Sequence, residues 1–243
     1  MLNSMAAQSV QHVTHHKTKD GISFAMRHLL QSDYEKLRSL HDAVHRDLEE
    51  KGHQSFFLHK SEEQLRDCLN YDSATPGKLG VTIGACIGDR LIGVSSITFP
   101  KERNDVALVV MPDLPIEQIS EFRSSAVHPE FQGHNINQAI FRYQVGVVSN
   151  TNRHPVSEFE VHNIASWKTS VRMGMHIEYT GVDPDDGAKL IYGVLRTGAP
   201  LNERDETVIH PANEWNVFQQ SLMDGYRGIT VTETGALVCQ RAL

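Results

Sequence analysis

"VHPEFQGHNINQAI", residues 127–140, is the stretch whose reading decides the fold. Apolar residues run into His128-Pro129, a polar turn from Gln132 to Asn137 follows, and a helix begins near Ile136. A helix N-terminus carries unpaired N–H groups and a partial positive charge. A strand that feeds such a helix through small residues makes a cradle for phosphate. Glycine permits positive φ and close approach of the backbone, and asparagine is the next residue most willing to turn left-handed. Gly133, Asn135 and Asn137 can therefore bring several amides toward one anion. The pattern is neither the P-loop nor the dinucleotide fingerprint, which need more glycines at fixed places. Taken alone, the stretch is served more simply by an ordinary strand-to-helix turn with an Asn cap.

The flanking sequence sets this turn in an alternating chain. Residues 1–20 read as a flexible tail, and "ISFAMRHLL" as a first strand. A helix follows over "SDYEKLRSLHDAVHRDLEEKG", with Leu37, Leu40, Val44 and Leu48 at helical spacing. Ser61-Glu62-Glu63-Gln64 fits a capping box at the start of a second helix. A hairpin turns near Gly88-Asp89-Arg90, and residues 100–118 read as an irregular insertion. "EFRSSAV" is the strand before the quoted loop, and "SEFEVH" the strand after its helix. In the latter, Phe159 and Val161 share one face and Glu158, Glu160 and His162 the other. "NIASWKTSVRMG" is a further helix, "MHIEYTG" and "AKLIYGVLR" are strands, and a helix with a hairpin closes the chain. This order predicts an α/β fold with a mixed central sheet and helices on both faces. The expected organisation is a tail (1–20), a main domain (21–200) and a C-terminal helix-plus-hairpin extension (201–243).

Composition narrows the function classes. The net charge is -7, and no basic stripe marks a nucleic-acid binder. A negative surface tolerates cationic or amine partners better. No run of about 18 apolar residues could span a membrane, and the first residues lack the apolar core of a secretory signal. Three widely spaced cysteines argue for a reducing, cytoplasmic setting and against a thiolate zinc site. His41 and His45 lie four apart in "HDAVH", on one helix face, but Asp42 stands where the zinc-protease pattern has Glu and no third ligand is evident. No metal is expected.

With its context, the quoted stretch resembles the GNAT superfamily of acyl-coenzyme-A-dependent N-acyltransferases. In that family an apolar strand ends in Val-x-Pro-Glu-(Tyr/Phe), followed by Arg/Gln-Gly-x-Gly-x-(Gly/Ala) and a helix. Val127, Pro129, Glu130, Phe131, Gln132 and Gly133 match, whereas Asn135 and Asn137 replace small residues. Downstream, Asn163, Ser166 and Gly174 match a second family pattern, with Ser170 in place of the common Tyr and Met175 in place of Phe. The resemblance covers about residues 22–196. It implies a GNAT-like fold with two parallel strands, near 121–127 and 157–162, that splay apart. The pantetheine arm of acetyl-CoA, or another acyl-CoA, would lie in that gap along Ala126 and Val127. The pyrophosphate would rest on the amides of Gln132, Gly133, His134, Asn135, Ile136 and Asn137, with Asn163 and Ser166 on the other side.

Acylating an amine requires a proton acceptor, a polarised thioester carbonyl and a donor to the leaving thiolate. Glu121, at the opening of the strand that faces the thioester, is the first choice of base; Glu160 and His162 come second. Ser170 is the candidate thiolate donor, with Tyr143, Tyr179 and Tyr192 as alternatives. The expected partners are acyl-CoA and an amine acceptor, with no nucleic acid and no membrane; a homodimer is possible. The competing readings are an inactive acyl-CoA sensor or partner-binding protein, and a metal-dependent hydrolase built on "HDAVH".

Overall fold

The computed structural model describes residues 13–18, 20–57, 59–69, 80–100, 106, 111, 114–149, 151–196 and 201–242. The start of the tail, with His12, and most of the 100–118 insertion lie outside the described residues.

One sheet runs through the molecule. Its strands are β1 (Thr14–Lys17), β2 (Ser23–His28), β3 (Gly80–Ile87), β4 (Arg90–Thr98), β5 (Ile119–Val127), β6 (His154–Glu160), β7 (Met175–Val182), β8 (Lys189–Leu195), β9 (Leu201–Ile209), β10 (Tyr226–Val231) and β11 (Leu237–Ala242). They lie in the order β1-β2-β3-β4-β5-β6-β8-β7-β10-β11-β9. Neighbours are antiparallel except β5 and β6. The helices are α1 (Tyr34–Glu50), α2 (Glu62–Leu69), α3 (Ile136–Val148), α4 (Ile164–Arg172) and α5 (Trp215–Met223).

Side-chain alternation assigns the helices to faces. Leu37, Leu40 and Val44 of α1 and Leu65 of α2 pack with Leu91, Val94 and Ala126 on one face. Ile136, Ile140 and Phe141 of α3, with Trp167 and Val171 of α4, pack with Ile97, Phe122 and Phe159 on the other. Gly93 lets α3 close on β4: a Cβ there would stand 3.0 Å from Ile140 Cδ1 and 3.2 Å from Ile136 Cγ2. The capping box forms as its sequence predicts. The Ser61 N–H donates to Gln64 Oε1 at 2.8 Å, and the Gln64 N–H to Ser61 Oγ at 3.3 Å.

Two segments differ from the sequence reading. Residues 14–17, assigned to the flexible tail, form β1 and pair with β2 from Thr14↔Met26 to Lys17↔Ser23. The C-terminal extension holds a third strand, β9, which pairs with β11. "LNERDETVI" is rich in charge, as suits an outer strand, and gave no apolar run to read. The extension continues the same sheet through β10, which pairs with β7 at Gly228↔Ile177. Its Ile209, Phe218 and Leu237 join the core that contains Trp167 and Ile177.

Candidate active site

The parallel pair β5/β6 is short. Only Ile119↔His154, Ser120↔Pro155 and Glu121↔Val156 are in register. Beyond them the strands part, and the Ser157 hydroxyl donates to the carbonyl of Phe122 at 3.1 Å in place of a strand partner. The cause lies on the other edge of β5. Between Val94↔Ala126 and Ser96↔Arg123, both Ser124 and Ser125 oppose the single residue Ser95, and Ser124 takes φ 53°. Such a bulge bends its strand. A buried polar network holds the bend. Ser95 Oγ donates to the Arg123 carbonyl at 3.2 Å and lies 2.7 Å from Ser125 Oγ. The Gln144 side-chain amide, reaching in from α3, donates to Ser95 Oγ at 2.8 Å and to the Ser96 carbonyl at 3.2 Å. The His128 N–H donates to Ile92 of β4 at 2.9 Å. Strand alternation therefore turns the Val127 N–H the other way, toward the gap.

The gap leads to the quoted loop. Gly133 adopts φ 81° and Asn135 φ 60°, the two left-handed positions that the glycine and asparagine there favour. Asn135 is the N-cap of α3, but its side chain makes no capping bond; its Oδ1 accepts from Gln138 Nε2 at 3.1 Å. The first helical bond runs from the Ala139 N–H to the Asn135 carbonyl, at 3.1 Å. The amides of Ile136, Asn137 and Gln138 precede it, and these residues line a groove of about 500 Å³. Gln132 and Gly133 line the groove too, as do Val127, Asn163 and Ser166. The His134 side chain turns away, with Nδ1 2.8 Å from Asp20 Oδ2. Asn163 caps α4, its Oδ1 accepting the Ser166 N–H at 3.3 Å.

A second cavity, of about 280 Å³, opens at the parting of the strands and shares Ser125, Asn137, Asn163 and Ser166 with the groove. Glu121, Arg123, Glu158, Glu160 and Ser170 line it. Glu121 is buried, accepts from Thr98 Oγ1 at 3.2 Å and lies 3.6 Å from Arg123 Nη1. Glu158 is exposed and lines the cavity. Desolvation there pushes its carboxyl above the usual range. The charges of Asp183 and Glu121 push the same way, while a hydrogen bond from Tyr192 and the charge of Arg123 oppose them. Ser170, 6 % exposed, sits on the cavity side of α4.

The structure thus gathers Glu121, Glu160 and Ser170 at one cavity and His162 at the adjoining groove. The alternative tyrosines divide. Tyr192 reaches the cavity through Glu158, whereas Tyr143 stands edge-on to His28 with ring centroids 6.0 Å apart. Burial pushes the Tyr179 hydroxyl up beside Glu178 and Arg196, and it does not line the cavity. Sequence reasoning passed over Glu158 and Gln144. Gln144 left a signal, a polar residue four after Ile140 on the apolar face of its helix.

The "HDAVH" helix acquires the third imidazole that its sequence lacks. The His59 ring centroid lies 5.2 Å from that of His41 and 4.9 Å from that of His45. Ligand atoms of His41, Asp42 and His59 fall within 4.8 Å of one another. A tetrahedral zinc site with bonds near 2.0–2.1 Å brings its donors to about 3.3 Å. His41 Nε2 already accepts the Lys60 N–H at 3.1 Å. In this arrangement the His41 ring packs against Phe57, with centroids 5.1 Å apart.

No protein-family model matches this sequence, and no curated protein matches it. Solved structures do. The GNAT domain of S. lividans PAT superposes with a TM-score of 0.55 at 17% identity, over 75% of this chain and 97% of that one. Arabidopsis thaliana NAA60, solved with a bisubstrate analogue, gives 0.52 at 18% identity, over 70% and 96%. The aminoglycoside acetyltransferase AAC(6')-Ib, solved with coenzyme A and kanamycin, gives 0.52 at 13% identity, over 72% and 95%. Identities this low carry the architecture alone. With the parted parallel strands and the open helix N-terminus, they establish that this chain has the fold of the GNAT superfamily.

Proposed function

We propose that the protein is an N-acyltransferase that moves an acetyl or other short acyl group from acyl-CoA to a primary amine. One observation carries this reading: an unpaired strand edge at β5 leads, through the loop of residues 128–135, to the N-terminus of α3, where Asn135 makes no side-chain cap. The amides of residues 132–137 suit a diphosphate. The free edge of β5 suits a pantetheine arm, which pairs as an added strand would. Acetyl-CoA supplies an activated acyl group as cosubstrate. Glu158 takes the proton from the incoming ammonium, and the charge of Glu121 keeps Glu158 protonatable closer to neutral pH. The Val127 N–H polarises the acyl carbonyl, and the Ser170 hydroxyl hydrogen-bonds the departing sulfur.

Calorimetry with acetyl-CoA and free coenzyme A tests the binding half of this reading. Proline cannot adopt the φ of 81° found at Gly133. Gly133→Pro should weaken both ligands by at least about tenfold, which is more than about 1.4 kcal/mol. Equal affinity in the two proteins would remove the loop from the site. The short side chain at Ser170 favours one rival, a protein that binds acyl-CoA without turning it over. Thiol release across a panel of amines separates the two readings.

A further inference from the structure

We infer that the acceptor is a small molecule with two cationic nitrogens about 7–10 Å apart, of which one is acylated while the other is held at the cavity rim. The inference rests on the acyl-transfer reading and concerns the same cavity. Glu158 and Glu160 point to the same face of β6, and both line the cavity. Two residues of strand place them about 7 Å apart along β6. The line of acid continues beyond Glu160. That residue pairs with Leu190 at the start of β8, and the turn joining β7 to β8 brings Asp183 and Asp186 to the same cavity.

The turn fixes these two aspartates. Asp183 Oδ1 accepts the Asp185 N–H and Asp186 Oδ1 accepts the Ala188 N–H, each at 2.8 Å. Among the described residues, five carboxylates (Glu121, Glu158, Glu160, Asp183 and Asp186) therefore face two cations, Lys60 and Arg123, around the cavity. Arg123 is already paired with Glu121. The nearby Lys189 does not line the cavity, and its ammonium lies over the Trp215 ring, 5.4 Å from the centroid. A second observation points to a ligand in the same space. The Ser170 hydroxyl, on a side chain more than nine-tenths buried, opens into the cavity without a hydrogen-bond partner among the described residues. A volume of about 280 Å³ suits a small molecule. Excess negative charge at the far end favours a second ammonium there and disfavours a carboxylate.

Three probes of equal chain length separate charge from size: 1,6-diaminohexane, 1-aminohexane and 6-aminohexanoate. Each is titrated by calorimetry into the protein saturated with coenzyme A, and again into the free protein. The diamine should bind at least tenfold tighter than the monoamine, and the amino acid most weakly. In the double variant Asp183→Asn/Asp186→Asn the turn keeps its Oδ1 acceptors and loses two charges. The diamine's advantage should then fall to about twofold or less, with acetyl-CoA affinity unchanged. Equal binding of diamine and monoamine by the unaltered protein would overturn the inference. So would a preference that survives the double substitution. Failure of the acyl-transfer reading looks different: no acetyl-CoA binding or no thiol release, with the amine preference still measurable on the free protein.

Discussion

Glu158 and Glu121 share a cavity but stand in different surroundings, and pH separates their roles. Glu158 is pushed up first by desolvation and further by the charges of Asp183 and Glu121. A base with a raised pKa loses its proton, and becomes active, only at correspondingly higher pH. The acid limb of kcat/KM should therefore reflect Glu158. Glu121→Gln removes a negative neighbour and frees Arg123, and both changes lower the Glu158 pKa. The limb should move to lower pH in Glu121→Gln and disappear in Glu158→Gln, with turnover lower by about 10²-fold or more. A limb unmoved by either change would exclude both carboxylates. A second pH effect belongs to folding. Hydrogen bonds from Arg27, at 2.6 and 2.7 Å, hold the buried Asp33 carboxyl below its usual range. A depressed carboxyl stabilises the fold above its unfolded pKa near 3.9, and that contribution fades as pH falls through the folded value. Asp33→Asn should cost about 3 kcal/mol in urea unfolding at pH 6, and the difference should shrink below pH 4. At this scale the sequence identified residue types rather than environments. Glu160 and Ser170 were legible as candidates from strand alternation and motif position. The distinction of Glu158 comes from its desolvation in the cavity and from Asp183 of the β7–β8 turn and Glu121 of β5, residues distant in sequence, so no local pattern encodes it.

Elements were legible where local chemistry determines them. Gly133 and Asn135 stand at the two positive-φ positions of the loop, Ser61 and Gln64 close the capping box, and Asn163 caps α4. The β5 bulge was not legible, because "RSSAV" alternates poorly and the bend depends on a partner from α3. Gln144 supplies that partner from a position 1 % exposed. Gln144→Leu keeps the volume but leaves Ser95 Oγ and the Ser96 carbonyl without this donor. It should destabilise the protein by about 1–3 kcal/mol in chemical unfolding. It should also lower kcat more than it raises KM for the amine, since β5 carries the Val127 N–H. Gln144→Glu should restore neither, because an ionised carboxylate cannot donate to Ser95 and the Ser96 carbonyl. β1 escaped the sequence reading because four residues are too few to display a period, and β9 because its charges mask one.

At the scale of the whole molecule, the C-terminal residues are part of the main body. Trp215, Phe218, Leu237 and Cys239 share one core with Trp167, Met175 and Ile177. Burial among them pushes the Cys239 thiol up to about 12. A chain ending after residue 196 would bare this apolar surface and leave the edge of β7 unpaired. It should aggregate on expression, as sedimentation of the lysate would reveal. No helix among the described residues is long and apolar enough to cross a membrane. The shortness of the β5/β6 ladder has a mechanical consequence. Five strands on one flank and six on the other are sutured by three rungs, so the middle of the sheet is a weak joint. A thioester lying along that joint would splice the flanks together. Occupancy at a hundred times Kd adds about 2.7 kcal/mol, or roughly 5–10 °C in Tm for a chain of this size. Amide exchange should slow on both flanks at once, so that a small molecule completes a sheet the polypeptide leaves unfinished.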